Sequence, residues 1–443
     1  MSSVKEVFMQ YVDLKIRKHS LLEVFLFMYV MYPFALGPIY MLTKLGYYGF
    51  VFYSLIKFYL SFSHSDFTRR DFSLIRGFIS AFGICIFISL VYPIIQNTWD
   101  FSFFEHFVNY FILYVCSILM FNLSDNLYDF IVLFLKANSF YVICSLFLLI
   151  PNVRLAYQDF SGITISDALM DSWQMRAGLY YTRFGLQGFS GFSHTFRCSF
   201  AFSLGCWLMT FLKNNKVRLI VIIHLIINFI GCCLYGRVGI LTSMLVLSIY
   251  SLYCIIKYKK YKLLFSITII FLLVCFSFIY FFDSLKEITF VKFAFEPFIN
   301  LVEKGSFETA SSDGLKTHWR VPSLKAVAWG DAMYTEDGHY YTHVDVGFIR
   351  PLLFWGLLGS FVYYWMVIFL VVSIVSKQKE NGFILGCIII CVMLFYEIKG
   401  ECVPDMIQIL IPMALVLYKY KFKPILFGKK IKKYLFGGYC YEK

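Results

Sequence analysis

The chain has 443 residues, 60% of them hydrophobic and 21% aromatic, with only 15% charged. A soluble fold of this length needs far more polar surface to cover its core, so the soluble classes are excluded. The formal net charge of +13 sits in short basic clusters between apolar runs; that is the topology signal of a membrane protein, and it excludes nucleic acid as the partner.

Apolar windows of about 17–25 residues recur along the chain, the length a helix needs to cross the hydrocarbon layer. The alternating short segments of a transmembrane barrel are absent. The expected class is therefore an all-α polytopic integral membrane protein, with residues 1–443 forming a single membrane domain. The 13 cysteines lie mostly inside apolar runs, as in "GCCLYG" around Cys232 and Cys233. They read as small hydrophobes, not as a disulfide framework or zinc ligands.

The N-terminal "MSSVKEVFMQYVDLKIRKHS" is basic and lacks a small-residue cleavage site, so the first apolar run is expected to be a retained span. Spans are predicted at 20–42, 45–63, 76–95, 105–122, 137–152, 196–212, 218–235, 238–256, 263–282, 348–376, 383–399 and 404–419, about twelve in all. Lys15, Arg17 and Lys18 put the N-terminus in the cytoplasm. Alternation then returns "DFTRR", "KNNKVR", "KYKKYK", "SKQK" and the basic tail at 420–443 to the same side. Both termini are thus expected to be cytoplasmic. The acidic "SDNLYDF" within 123–138 fits least well, with only Lys136 voting for that side.

Two sizeable segments fall on the opposite face, at 153–195 and 283–347. Both mix Trp, Tyr, Gly, Arg, His and Asp, as a site for polar substrates would, and long loops of this kind are usually functional. Their aromatic content argues against disorder. No internal repeat is visible, which counts against inverted-repeat transporters.

Where the first of these segments ends, "MRAGLYYTRFGLQGFSGFSHTFRCSF" holds Arg176, Arg183 and Arg197 among glycines and aromatics, with no acid in that stretch. Two readings stand side by side: arginines snorkelling to the interface, or guanidinium forks built to hold an anion. Arg237, in the turn "YGRVG" between two spans, favours the second. An arginine at membrane depth is expensive and marks a functional site by default.

The second segment supplies "THWRVPSLKAVAWGDAMYTEDGHYYTHVDVGFIR". His318, His339, His343 and Asp345 are candidate general bases for a hydroxyl nucleophile. Arg320 is a further anion ligand. Trp319, Trp329, Tyr340 and Tyr341 offer ring faces for sugars. There is no HExxH and no DxD-like acidic cluster, so neither a metal nor another cofactor is expected. Past this segment, Arg350 reads as an interface anchor, Gly356 and Gly359 as close-packing positions. In "YEIKGECVPD", Glu397, Lys399 and Glu401 are expected to pair with one another.

Together these features resemble the Wzy-type O-antigen polymerases of Gram-negative bacteria, which are related to the O-antigen ligases. The likeness lies in the topology, in "RFGLQGFSGF", in "YGRVG", and in the signature formed by Asp345, Gly347, Gly356, Gly359, Tyr363 and Tyr364. Ligases carry an H-N pair where this chain has Asp345-Val346, which favours polymerase over ligase; a flippase or other transporter is the third reading. The resemblance implies a GT-C-like glycosyltransferase in the inner membrane, with both large segments periplasmic. It would polymerise undecaprenyl-diphosphate-linked oligosaccharide repeat units in lipopolysaccharide biosynthesis, without a metal. The implied partners are the lipid-linked donor and acceptor, the membrane lipid and, where one acts, a chain-length regulator. On this reading Arg237, Arg320, Arg183, Arg176 and Arg197 contact diphosphate. Asp345 acts as base, with His343, His339 and His318 as rivals.

Overall fold

The computed structural model describes residues 18–34, 40–63, 72–163, 183–189, 191–212, 214–258, 280, 289–309, 319, 322–336, 339–378 and 381–419. Arg176, His318, Arg320, most of the span expected at 263–282 and the tail at 420–443 lie outside them. In chain order the helices are α1 (Leu21–Met31), α2 (Tyr40–Ser63), α3 (Phe72–Ile95), α4 (Ser102–Leu123), α5 (Leu127–Phe147) and α6 (Pro151–Ser161). A hairpin of β1 (Phe184–Gly185) and β2 (Gly188–Phe189) leads to α7 (Gly191–Leu208), α8 (Asn215–Tyr235), α9 (Arg237–Tyr258) and α10 (Thr289–Lys304). Then come α11 (Leu324–Trp329), a hairpin of β3 (Thr335–Glu336) and β4 (His339–Tyr340), a 3-10 turn at Tyr341–His343, α12 (Ile349–Lys377), α13 (Gly382–Glu397) and α14 (Val403–Val416).

Among the described residues six helices are long and apolar enough to cross a bilayer: Ser73–Ile95, Ser102–Leu123, Leu127–Phe147, Asn215–Tyr235, Arg237–Lys257 and Ile349–Lys377. The chain is an all-α, multi-pass membrane protein. Its innermost helix, α7, is buried along nearly all its length, as a helix closed in on every side must be. Small residues let its neighbours approach: a Cβ on Gly205 would stand 2.6 Å from Leu225 Cδ2, and one on Gly231 2.6 Å from Cys198 Sγ. Eight of the eleven described cysteines are buried, as small hydrophobes would be.

Several boundaries differ from the sequence reading. The run at 20–42 is not one helix. α1 opens on a capping box, with Glu23 N–H on Ser20 Oγ at 3.2 Å and Ser20 N–H on the Glu23 carboxylate at 2.8 Å. It stops at Met31, just ahead of Pro33, whose ring prevents continuation. The acidic stretch near 125 is not a loop either. Asn126 caps α5 by accepting from Asp129 N–H at 2.9 Å, and Asp129 is buried against His19, Nε2 to Oδ1 3.0 Å. α5 therefore starts ten residues earlier than expected, and Lys136 lies within it. Likewise α7 begins at Gly191, inside the segment expected to be loop to 195.

The helix ends sort into two groups. At one end Trp207, Tyr253 and Lys257 converge on Asn381, Lys377 lies over Tyr418, and Lys419 reaches Asp125 at 3.5 Å. The opposite end gathers the 96–101 turn, the β1–β2 hairpin, the Gly236 turn, the approach to α12 and the α13–α14 turn. Asp345, Arg183, Arg237, Tyr340 and Tyr341 belong to this second end or to the segments packed on it.

Candidate functional site

The approach to α12 is built on two hairpin-like anchors. Asp100, in the turn before α4, accepts from Thr335 N–H at 2.9 Å and Ser102 N–H at 3.0 Å, and also from Tyr334 N–H. Burial pushes its carboxyl up, but the hydrogen bond from the Ser102 hydroxyl and those from the three backbone N–H groups outweigh that and hold it below the usual carboxylate range. Tyr341 N–H then closes on the Tyr334 carbonyl at 2.9 Å. The β3–β4 hairpin, with Glu336 opposite His339, is thereby fixed over the end of the bundle.

The second anchor is a break in α12. Gly356 adopts φ 69°, ψ −169°, a region essentially closed to residues with a Cβ. The carbonyls freed by the break are taken up by the chain after α11: Asp331 N–H donates to Leu353 O at 2.6 Å and Ala332 N–H to Phe354 O at 3.1 Å. Gly330 and Gly356 touch backbone to backbone; a Cβ on Gly356 would stand 2.6 Å from the Ala328 carbonyl oxygen. Gly356 thus packs closely, as expected, and is also a helix break, which was not expected. Gly359 packs closely too, against the Trp355 side chain. Irregular backbone at such depth is tolerated only where its polar groups find partners, as here.

Between these anchors lies Asp345. Its carboxylate is 54% exposed and bonded to Arg350 Nη2 at 3.2 Å. Arg350 is held on every side: its Nε donates to the Val344 carbonyl at 3.3 Å, its guanidinium carbon lies 3.4 Å from the Tyr340 ring centre, and Nη1 is 3.8 Å from Glu401. Glu401 also accepts from Tyr334 at 2.8 Å and from Tyr363. Glu397 caps α14, accepting from Cys402 N–H at 2.6 Å and Val403 N–H at 3.2 Å, while Tyr364 donates to it at 2.8 Å. The two tyrosines of the α12 signature therefore hold the two carboxylates of the α13–α14 turn. Those carboxylates are engaged there; Lys399 between them looks elsewhere.

Lys399 joins two arginines from distant parts of the chain. Arg183, at the start of the hairpin, lies along Gly191, where a Cβ would stand 3.0 Å from Arg183 Cδ and 3.0 Å from the Tyr235 carbonyl. That carbonyl belongs to the turn carrying Arg237. Gly400 packs on Phe192, the residue after Gly191, so the Lys399 turn meets the same spot. Burial, with Arg237 beside it, pushes Arg183 down to about 10. Burial, then Arg183 and Arg237, push the Lys399 ammonium down to about 8, with Asp345 partly offsetting them. Arg237 forms an ion pair with Glu296 of α10, Nη1 to Oε2 2.7 Å. Three cations and the Asp345 carboxylate thus share one neighbourhood at the end of the bundle. Comparison with family profiles, with curated proteins and with solved structures finds no match to this chain.

The other expected site residues are dispersed. Arg197 is not in this cluster. It sits inside the bundle, Nη2 2.6 Å from Asp405 and 3.1 Å from Gln408, with its guanidinium over the Tyr32 ring. The acid missing from its own stretch comes from α14. His339 and His343 are exposed, ring centres 5.4 Å apart, and Thr342 and His343 both take left-handed φ near 55°. Tyr340 lies under Arg350, and Tyr341 reaches Asp331 at 3.5 Å. Trp319 is half exposed, whereas Trp329 ends α11 on the α3 flank, its carbonyl accepting from Tyr92. Lys399 is the residue that sequence reasoning left out of the site. Its place between Glu397 and Glu401 was visible and suggested pairing with them, whereas its neighbours Arg183, Arg237 and Asp345 were not visible.

Proposed function

We propose that this protein is a membrane glycosyltransferase of the kind its sequence resembles, an O-antigen polymerase. It would join undecaprenyl-diphosphate-linked oligosaccharide repeat units at the periplasmic face of a Gram-negative inner membrane. About twelve spans, a GT-C-like arrangement and cytoplasmic termini belong to the same proposal. The observation that carries it is the convergence of Arg183, Arg237 and Lys399 beside Asp345.

The chemistry runs as follows. An acceptor hydroxyl attacks the anomeric carbon of the donor chain as the bond to the lipid diphosphate breaks. The bond electrons leave on the diphosphate oxygen, and the hydroxyl proton passes to the base, for which Asp345 is the favoured group. Charge grows on the leaving diphosphate, so fixed cations in a water-poor site stabilise the transition state more than the ground state. The Arg350 fork orients the Asp345 carboxylate from one side; His343 and His339 stand near it as rival bases.

The test is genetic. Deleting the gene should remove the ladder of long surface polysaccharide while leaving chains capped with one repeat unit. Arg237→Ala should do the same. Loss of every repeat in the deletion strain would point to a ligase or flippase instead, and normal long chains in the Arg237→Ala strain would overturn the site.

A further inference from the structure

One flank of the molecule carries large apolar side chains that the site does not use. α12 runs for 29 residues but is folded at Gly356: Tyr364, beyond the break, reaches the Gly347 carbonyl at 3.3 Å, so its first turns double back and only the stretch beyond the break can span the hydrocarbon layer, about 30 Å thick. The stretch beyond the break, Leu357 to Lys377, is by itself about 31 Å and fills that thickness. The break at Gly356 therefore marks the edge of the hydrocarbon on the side of the cation cluster. Trp329 packs on that break, its backbone carbon 2.6 Å from where a Gly356 Cβ would stand. α3 gives the same level independently, because Tyr92, in the last turn before Ile95, donates to the Trp329 carbonyl.

Around this level the side chains face outward. Leu324 is 88% exposed, Trp329 71%, Ile95 68% and Trp99 60%. They continue the exposed apolar flank of α3 and α12, where Ile84, Phe87, Leu357 and Leu358 also face out. Trp99 is held there by an unusual backbone: Asn97 and Trp99 take φ 59° and 57°, uncommon for residues with bulky side chains. Thr98 N–H and Trp99 N–H both fold back onto the Pro93 carbonyl, at 3.0 and 3.4 Å. Exposed Lys325 sits beside Leu324. Indole rings with an apolar body and one polar edge, next to a lysine, suit the headgroup layer of a bilayer.

We infer that Ile95, Trp99, Leu324 and Trp329 seat the α3–α4 turn and α11 in the lipid headgroup layer. Trp329 is then a lipid contact and not a sugar contact. The chain segment leading to Asp345 is held at headgroup depth by the membrane itself.

The test uses the full chain in nanodiscs of phosphatidylcholine and phosphatidylglycerol. Trp329→Cys and, separately, Leu324→Cys are labelled with an environment-sensitive fluorophore, the unsubstituted chain giving the background from native thiols. Leu324 touches little, so its replacement leaves the fold intact even where Trp329→Cys does not. The expected result is loss of fluorescence with phosphatidylcholine bearing a nitroxide near the headgroup, and less loss with mid-chain nitroxide or aqueous iodide. A label at exposed Glu336→Cys should show the reverse, quenching by iodide. Iodide quenching at 324 and 329 equal to that at 336 overturns the inference. So does protection of either label by added oligosaccharide, or energy transfer between labels on two copies of the chain.

Discussion

Half-buried Lys399 and buried Arg197 show how two cations acquire opposite meanings from their surroundings. Lys399 is pushed down to about 8 by burial and by Arg183 and Arg237, so its charge is present below that pH and lost above it. Affinity for inorganic pyrophosphate should therefore be highest below pH 8 and fall as pH rises through about 8. Lys399→Met should weaken binding at pH 7 by about tenfold or more, the weight of one charge-assisted hydrogen bond, and flatten the pH profile. Calorimetric titration at several pH values reads both effects; a profile unchanged by the substitution removes Lys399 from the site. Arg197, by contrast, already has its anion. Arg197→Ala strands Asp405 in the bundle, and breaking a pair of this kind costs about 3–5 kcal/mol. Thermal unfolding in detergent should show a large loss of stability, with much of it recovered in the Arg197→Met, Asp405→Leu double variant. Arg237→Lys should be impaired in polymer formation although it keeps the charge, since an ammonium cannot replace a fork.

Among the elements, α12 departs furthest from its sequence pattern. Its apolar run reads as one uninterrupted span, and its ends at Ile349 and Lys377 fall within a residue of expectation. The break was hidden because Gly356 is ambiguous by sequence: close packing and a left-handed kink both select glycine. What brings out the kink is the 329–332 segment lying against it, a contact between residues no local pattern links. Gly356→Ala combines backbone strain of about 1–3 kcal/mol with a clash against the Ala328 carbonyl. It should lower thermal stability and loosen the 334–345 segment, measurable as faster amide exchange at Tyr334 and Thr335. Exchange at those positions unchanged from the parent chain would mean that the break does not hold the segment. Other misreadings have similar causes. Counting apolar residues ran through Pro33, and the polarity of Asn126 and Asp129 looked like a loop when it was a helix cap closed by a distant histidine.

At the scale of the molecule, composition alone fixed the class, since no other arrangement of so apolar a chain is soluble or closed. Individual arginines were legible because buried arginine is rare; their meeting was not, because Arg183, Arg237 and Lys399 come from three turns far apart in sequence. The gathering of Lys257, Lys377 and Lys419 at the end opposite this cluster leads to a topological expectation. An impermeant thiol reagent added to intact spheroplasts should label Glu336→Cys and leave Asp125→Cys unlabelled until the membrane is opened; the reverse pattern would invert the chain. One contact also sets the terms on which any anion enters. Arg237 already holds the Glu296 carboxylate at 2.7 Å, so binding of an anion as proposed would be an exchange of one anion for another, not a simple addition. The pairing partly neutralises Arg237, and on the proposed function a diphosphate binding here would compete with the acid of α10. A ligand with only one negative charge gains little by that exchange, whereas one with several gains much. On the proposed function, Glu296 would thus set how much charge a molecule must carry before the cluster takes it.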